Sequence, residues 1–303
     1  MKRRIVQILT TIFTNLYPLG WFKGRIYDGP LKHACHPGMQ CYSCPSATTA
    51  CPLGALQNSL AAVKENLKQG QFNIGLYVIG FIGLLGMLFG RLVCGWLCPF
   101  GFLQELIYKI PTPKFRMPRL ATYGRYVLLF VLVFLMPLAF SFANADGATY
   151  PWYCKLVCPV GTSEAGIAKI FSEANLSLGF FFRLKWVILI GFALWMTVTY
   201  RAFCSAGCPL GAIYGLFNRI SVFRLNVDQD KCTTCKACQR ACPLDIKTYE
   251  TPNHADCIRC LKCVPACKFD ALHTAFGKKV NRGDAEAQGE EGNKSPESGA
   301  SDV

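Results

Sequence analysis

Eighteen cysteines in 303 residues constrain this chain more than any other feature, because they recur in short fixed spacings rather than as scattered pairs. From Cys232 to Cys267 the order is C-x2-C-x2-C-x3-C-P, then C-x2-C-x2-C-x3-C. Upstream, Cys94 with Cys98, Cys154 with Cys158, and Cys204 with Cys208 share the pattern C-x3-C-P-x-G, and Cys51 opens a C-P-L-G that repeats its second half. Such spacings converge thiolates on metal, whereas a secreted disulfide framework distributes an even set of separated cysteines.

The C-terminal run has the spacing of bacterial ferredoxins with two [4Fe-4S] clusters, in which the fourth cysteine of each run ligates the other cluster. One cluster is therefore assigned Cys232, Cys235, Cys238 and Cys267, and the other Cys257, Cys260, Cys263 and Cys242. Paired C-x2-C also builds zinc ribbons, but this tight pattern of eight is more regular than a ribbon requires. Lys268 stands where a second proline is usual, a local variation.

In C-x3-C-P-x-G the second cysteine can cap a helix whose first position is proline, where the missing N–H costs nothing. The helix N-terminus then turns backbone N–H groups and a positive dipole end toward sulfur, favouring a thiolate on an anionic cluster. Two thiolates are half of a cubane's ligand set, so each motif needs a partner on its own side of any membrane.

Half the chain is apolar, with a mean hydropathy of +0.27, and the length admits two domains. Four stretches are candidates to span about 30 Å of hydrocarbon: Ile5 to Phe22, Phe72 to Val93, Tyr126 to Ala143, and Phe180 to Phe203. The first contains Gln7, Asn15 and Pro18, so an interfacial helix is its alternative. Lys2, Arg3 and Arg4 precede it with no small-residue cleavage site after it, the pattern of a retained anchor. Trp21, Trp152 and Trp186 fall near span boundaries, as interfacial aromatics do. The expected organisation is an α-helical membrane bundle of four transmembrane helices over residues 1–226, an α+β ferredoxin-like domain over 227–276, and a polar, disordered tail over 277–303.

Positive charge sets the orientation. Lys2, Arg3 and Arg4, with Lys109, Lys114, Arg116 and Arg119 between the second and third spans, belong inside, which puts both termini in the cytoplasm. Cys94, Cys98, Cys204 and Cys208 then form an inner set of four. Cys154 and Cys158 lie outside with the first loop, which supplies Cys51 and Cys44 to an outer cluster, with Cys35 and Cys41 as alternatives. Disulfides are the competing reading for these outer six in an oxidising compartment. About four [4Fe-4S] clusters result, with inner and outer sets expected up to about 30 Å apart across the bilayer core.

The net charge of +14 does not indicate a nucleic-acid partner, because Lys and Arg flank apolar runs. Four oxidised cubanes would also bring it down to about +6. The four histidines all lie outside the expected spans and no C-x-x-C-H occurs, so neither b-type nor c-type haem is expected. Walker A, dinucleotide and nucleophile-elbow motifs are absent. His33 and His36 are read as polar loop contacts rather than iron ligands, and Glu105 and Glu164 as solvated helix-face residues rather than proton acceptors.

The C-x3-C-P motifs at span ends followed by an eight-cysteine ferredoxin resemble the membrane-bound polyferredoxins of the NapH, NosR and MauN type, over about residues 1–276. Cys94, Cys98, Cys204 and Cys208 match that family's paired motifs, and the eight cysteines from Cys232 to Cys267 its ferredoxin ligands. The additional Cys154 and Cys158 pair and the loop from His33 to Gly54 depart from it. The resemblance implies a multi-pass protein of the cytoplasmic membrane. Its expected role is an electron-transfer subunit linking the quinone pool or an extracytoplasmic partner to cytoplasmic carriers. Membrane lipid, quinone, and other redox subunits or ferredoxin are the expected partners. The alternative is a maturation or redox-sensing factor that supplies electrons for assembling a partner metalloenzyme.

Overall fold

A computed structural model describes residues 2–20, 25–68, 75–139, 150–167, 170 and 179–276. The expected tail, Trp21, and the expected span ends at 21–22, 72–74 and 140–143 lie outside the described residues. In chain order the helices are α1 (Lys2–Thr14), α2 (Pro52–Lys68), α3 (Leu76–Phe89), α4 (Leu92–Trp96), α5 (Pro99–Ile107), α6 (Arg119–Ala139), α7 (Trp152–Leu156), α8 (Pro159–Gly161), α9 (Phe180–Val198), α10 (Ala202–Ala206) and α11 (Pro209–Phe217). They are followed by β1 (Phe223–Val227), α12 (Ala237–Ala241) and β2 (Leu272–Phe276).

Two helices, α6 with 21 residues and α9 with 19, are long and apolar enough to cross a membrane. Only 6% of the apolar window of α9 is buried, which separates it from the core helix of a soluble protein. Its outward Phe181, Val187, Ile190 and Leu194 form the kind of apolar surface that lipid covers. The other two expected spans are shorter. Helix α1 stops at Thr14, where the Asn15 side chain turns back to the Thr11 carbonyl at 2.9 Å. Helix α3 has 14 residues, about 21 Å of rise, and ends at Gly90, whose φ of +54° only glycine adopts freely. Both still expose apolar faces, Ile5, Leu9 and Ile12 on α1 and Leu76, Ile79 and Leu84 on α3.

One buried core joins α2, α3, α6 and α9 to the short paired helices α4–α5, α7–α8 and α10–α11, and it contains Cys51, Cys94, Cys98, Cys158 and Cys208. The C-terminal unit has its own smaller core of Leu225, Ile246, Cys257, Cys263 and Leu272. Antiparallel β1 and β2 close it, with Phe223 opposite Phe276 and Val227 opposite Leu272. Strand β1 begins at Phe223, four residues ahead of the boundary expected at 227.

The two units are locked together. Asn218 donates from Nδ2 to the carbonyls of His254 and Cys257 at 2.9 and 2.7 Å. Trp96 donates from Nε1 to the Arg259 carbonyl at 3.0 Å, and Arg259 donates to the Phe89 carbonyl at 2.9 Å. Gly95 lies directly beneath the Ile258 carbonyl, where a Cβ has no room. Gly95→Ala is therefore expected to loosen this joint and raise hydrogen exchange across residues 254–260. Gly83→Ala, in open space on α3, should leave that exchange unchanged.

Candidate iron-sulfur sites

The C-x3-C-P-x-G motif has a concrete local structure. Cys98 and Cys208 are the N-caps of α5 and α11, each followed by proline at the first position. The Gly101 N–H donates to Cys98 Sγ at 3.4 Å and the Gly211 N–H to Cys208 Sγ at 3.3 Å. Glycine keeps these turns close, since an added Cβ would sit in tight contact 3.1 Å from the Cys94 carbonyl oxygen, or 3.0 Å from that of Cys204. Cys158 caps α8 in the same way, without the side-chain bond.

Cys94, Cys98, Cys204 and Cys208 come together, near enough for their charges to interact. The two motifs clasp each other by exchanging arginines. Arg91, three residues before Cys94, donates from Nη2 to the Cys204 carbonyl at 2.6 Å. Arg201, three residues before Cys204, donates from Nη1 to the Cys94 carbonyl. Gln104 Nε2 adds a bond to Cys204 Sγ at 2.9 Å, and the Met39 N–H one to Cys98 Sγ at 3.4 Å. Burial pushes the Cys94 thiol up to about 11 and that of Cys98 to about 12, and the neighbouring sulfurs add to both.

A second quartet consists of Cys41, Cys51, Cys154 and Cys158. Cys154 interacts with Cys158, Cys51 and Cys41, and Cys41 with Cys158 and Cys51. Gln57 orders it, donating from Nε2 to Cys154 Sγ at 3.3 Å and accepting the Tyr153 N–H at 3.0 Å. Cys44 instead meets the Ser46 hydroxyl at 3.2 Å, and Cys35 lies beside Cys51. In the C-terminal unit, Cys242, Cys257, Cys260 and Cys263 form a mutually interacting set. Cys238 and Cys267 pack on the same small core, and Cys235 is exposed.

The first loop folds into the bundle, so the inner and outer quartets are not separated by a bilayer's thickness. Gly38 packs on Cys98, where an added Cβ would lie 2.7 Å from its Cα. His36 Nε2 hydrogen-bonds the Leu97 carbonyl at 2.9 Å, the polar loop contact expected of it. Buried Tyr153, adjoining Cys154, donates its hydroxyl to the Gly207 carbonyl beside Cys208 at 2.8 Å. Tyr214 reaches from the inner set to the Pro37 carbonyl at 3.3 Å.

Neither acidic residue is solvated as expected. Glu105 is held by Arg3, Arg201 and Tyr200, with its side chain 9% exposed. Glu164 is half-buried and accepts the Cys41 N–H at 2.7 Å. Burial pushes its carboxyl up to about 7, against that hydrogen bond and the Lys32 charge.

Whether these sets suit an anionic cluster is tested by the buried arginines. Arg91, Arg125, Arg201 and Arg259 are each at most 1% exposed. Arg91 and Arg125 share Asp256, at 3.3 and 2.5 Å, while Arg259 bonds carbonyl groups only. Arg91 Nε, Arg125 Nε and Nη1, and Arg259 Nε have no hydrogen-bond partner. Buried positive charge in such surplus is costly alone and is compensated by an anion, which four thiolates on a cubane supply. Among the described residues no three His, Cys, Asp or Glu side chains close around one ion. A cubane places each thiolate on a separate iron, so its ligands stand wider apart than those of a mononuclear site. The residues fit the group.

Sequence reasoning missed the arginine exchange, although its signal was present: Arg stands three residues before the first cysteine in two of the three motif copies, and Pro151 in the third.

A family described as a 4Fe-4S binding domain matches residues 72–118, 126–174 and 180–228, and another of the same description matches 225–248. An uncharacterised protein of Methanocaldococcus jannaschii is 32% identical over 66% of this chain and 70% of its own length. The methylamine utilization ferredoxin-type protein MauN of Paracoccus denitrificans is 31% identical over 56% of this chain and 53% of its own. The ferredoxin-type protein NapH of Haemophilus influenzae is 25% identical over 63% of each. No solved structure matches. With its helical membrane part, its cysteine quartets and these relatives, the chain belongs to the membrane-associated 4Fe-4S polyferredoxins of the NapH, MauN and NosR type, an electron-transfer family.

Proposed function

We propose that this protein conducts electrons through four [4Fe-4S] clusters between the quinone pool, or an extracytoplasmic redox partner, and cytoplasmic carriers. The observation that carries this reading is continuity. The outer quartet joins the inner one through Tyr153, and Arg91 joins the inner one to the ferredoxin unit, donating to Cys204 and to the Ala255 carbonyl at 2.6 and 3.0 Å. The clusters supply one-electron transfer, and the protein sets their spacing, burial and potential. In this reading the outer ligands are Cys41, Cys51, Cys154 and Cys158, the inner ones Cys94, Cys98, Cys204 and Cys208, and the ferredoxin sets those assigned from their spacing.

Exchange with a partner is placed at two sites. A cleft of about 520 Å³ between the start of α6 and the ferredoxin unit is lined by Tyr123, Arg125, Tyr126, Ser205, Pro243 and Asp256. Ser205 follows Cys204 and Pro243 follows Cys242, so a quinone ring there would adjoin two quartets, with aromatic walls for the ring and donors for its oxygens. Exposed Cys235 marks the other end, open to soluble carriers. We place the chain in the cytoplasmic membrane with four passes and both termini inside.

Anaerobically purified protein should then contain about sixteen irons per chain, four per cubane. Cys41→Ser should bring this to about twelve, whereas Cys44→Ser should leave it near sixteen. A wild-type value near eight would leave only the ferredoxin centres and overturn the proposal for the membrane part.

A further inference from the structure

We infer that Arg91 and Arg201, by exchanging across the two motifs, set the inner centre at a higher reduction potential than the outer one, so that the first electron entering the membrane part rests on the inner centre. This rests on the reading that both quartets hold [4Fe-4S] clusters.

Reduction adds one negative charge to a centre without making or breaking a bond, so nearby fixed cations favour the reduced state. Both guanidinium groups are fully buried, where water screens them least, and each donates to the carbonyl of a ligand cysteine in the opposite motif. Each shares one carboxylate with a second arginine, Arg201 and Arg3 on Glu105 and Arg91 and Arg125 on Asp256, so positive charge is left over at both. Gly101 and Gly211 make room for them. A Cβ at Gly101 would lie 3.2 Å from Arg201 Nη1, and one at Gly211 3.2 Å from Arg91 Nη2. Sulfur also receives donors here, from Gly101, Gly211, Met39 and Gln104. Each such bond stabilises added negative charge.

The outer quartet lacks the arginines, although its sulfurs too receive a donor, from Gln57 Nε2 to Cys154 Sγ at 3.3 Å. Pro151 occupies the position of the arginine. Glu164 takes the Cys41 N–H as acceptor and brings a carboxyl group against the set. Lys32, which donates to the Ala47 carbonyl at 2.7 Å and lies over the Tyr42 ring, interacts with Cys41 and with Glu164, so that carboxyl group offsets its charge at the set. Sulfur receives hydrogen bonds in both sets, so it is the buried arginine charge that favours an electron on the inner centre.

The test is an anaerobic redox titration of the full chain followed by electron paramagnetic resonance, with the inner and outer signals assigned as those deleted by Cys208→Ser and Cys158→Ser. In the wild type the inner signal should develop at the higher potential. Arg91→Gln, which removes the charge, should lower the inner midpoint by at least about 59 mV, a tenfold shift in its reduced-to-oxidised ratio. Arg91→Lys should restore most of that shift, and the outer midpoint should stay in place throughout. The inference is overturned if the outer signal develops first in the wild type, a comparison that needs no arginine variant, or if Arg91→Gln keeps its iron and its inner midpoint. If Cys208→Ser deletes no signal, the cluster reading itself has failed, and the order of potentials falls with it.

Discussion

Cys98→Ser, Cys208→Ser and the double variant are each expected to lose one and the same centre, about four irons, and to leave the ferredoxin signals intact. The two cysteines are 110 positions apart, yet each caps its helix beside the other's motif, and the exchanged Arg91 and Arg201 tie the motifs into one body. Removing one of the four buried thiolates leaves one iron of the cubane without its ligand. The double variant should therefore lose no more iron than either single one, because residues that act as one unit are not additive. Iron and labile-sulfide assays read this directly. Additive losses, or two different signals removed, would show that each motif recruits ligands from elsewhere. Cys158→Ser is the control and should remove only the outer signal.

The cysteine spacing carried most of this. It placed Cys98 and Cys208 at helix N-caps, paired them with Cys94 and Cys204, and set Cys242 with Cys257, Cys260 and Cys263, all of which the structure brings together. Hydropathy located α6 and α9, because a long apolar run has few folded states available to it. What the sequence left unread depends on long-range packing. The first loop has no periodicity to show that Gly38 rests on Cys98, or that Cys41 faces Cys154 while Cys44 turns to Ser46. Nor could it show that the loop's polar residues tie it to the helices, as when Gln40 Nε2 donates to the Thr14 carbonyl at 2.7 Å. Glu105 looks solvated in sequence because its partners, Arg3 and Arg201, are about a hundred positions away on either side.

Glu105→Gln is expected to be among the most destabilising single changes outside the cysteines, at about 3–5 kcal/mol. The carboxylate ties three segments together. Arg3 of α1 reaches its two oxygens at 3.0 and 2.8 Å, Arg201 binds Oε1 through Nε and Nη2 at 3.0 and 2.6 Å, and the Tyr200 hydroxyl donates at 2.7 Å. Burial pushes the Glu105 carboxyl up, but Arg201 and Arg3 outweigh it and hold it below its ordinary value of 4.5. Its stabilisation is thus present above that value and is lost as pH falls through the lower folded one. Glutamine keeps the shape and removes the charge, leaving Arg201 wholly buried without its counter-ion and freeing the side chain that reaches the Cys94 carbonyl. The contrast is Asp245→Asn, which breaks the Arg116 pair of 2.9 Å, where Arg116 is 82% exposed and the expected cost is below about 1 kcal/mol. Thermal unfolding in detergent should separate the two, with a fall of order 10 °C for Glu105→Gln and little change for Asp245→Asn. Similar small shifts for both would mean that water or lipid headgroups reach Arg201, and that the buried ion pair does not hold α1 to the cluster-bearing helices.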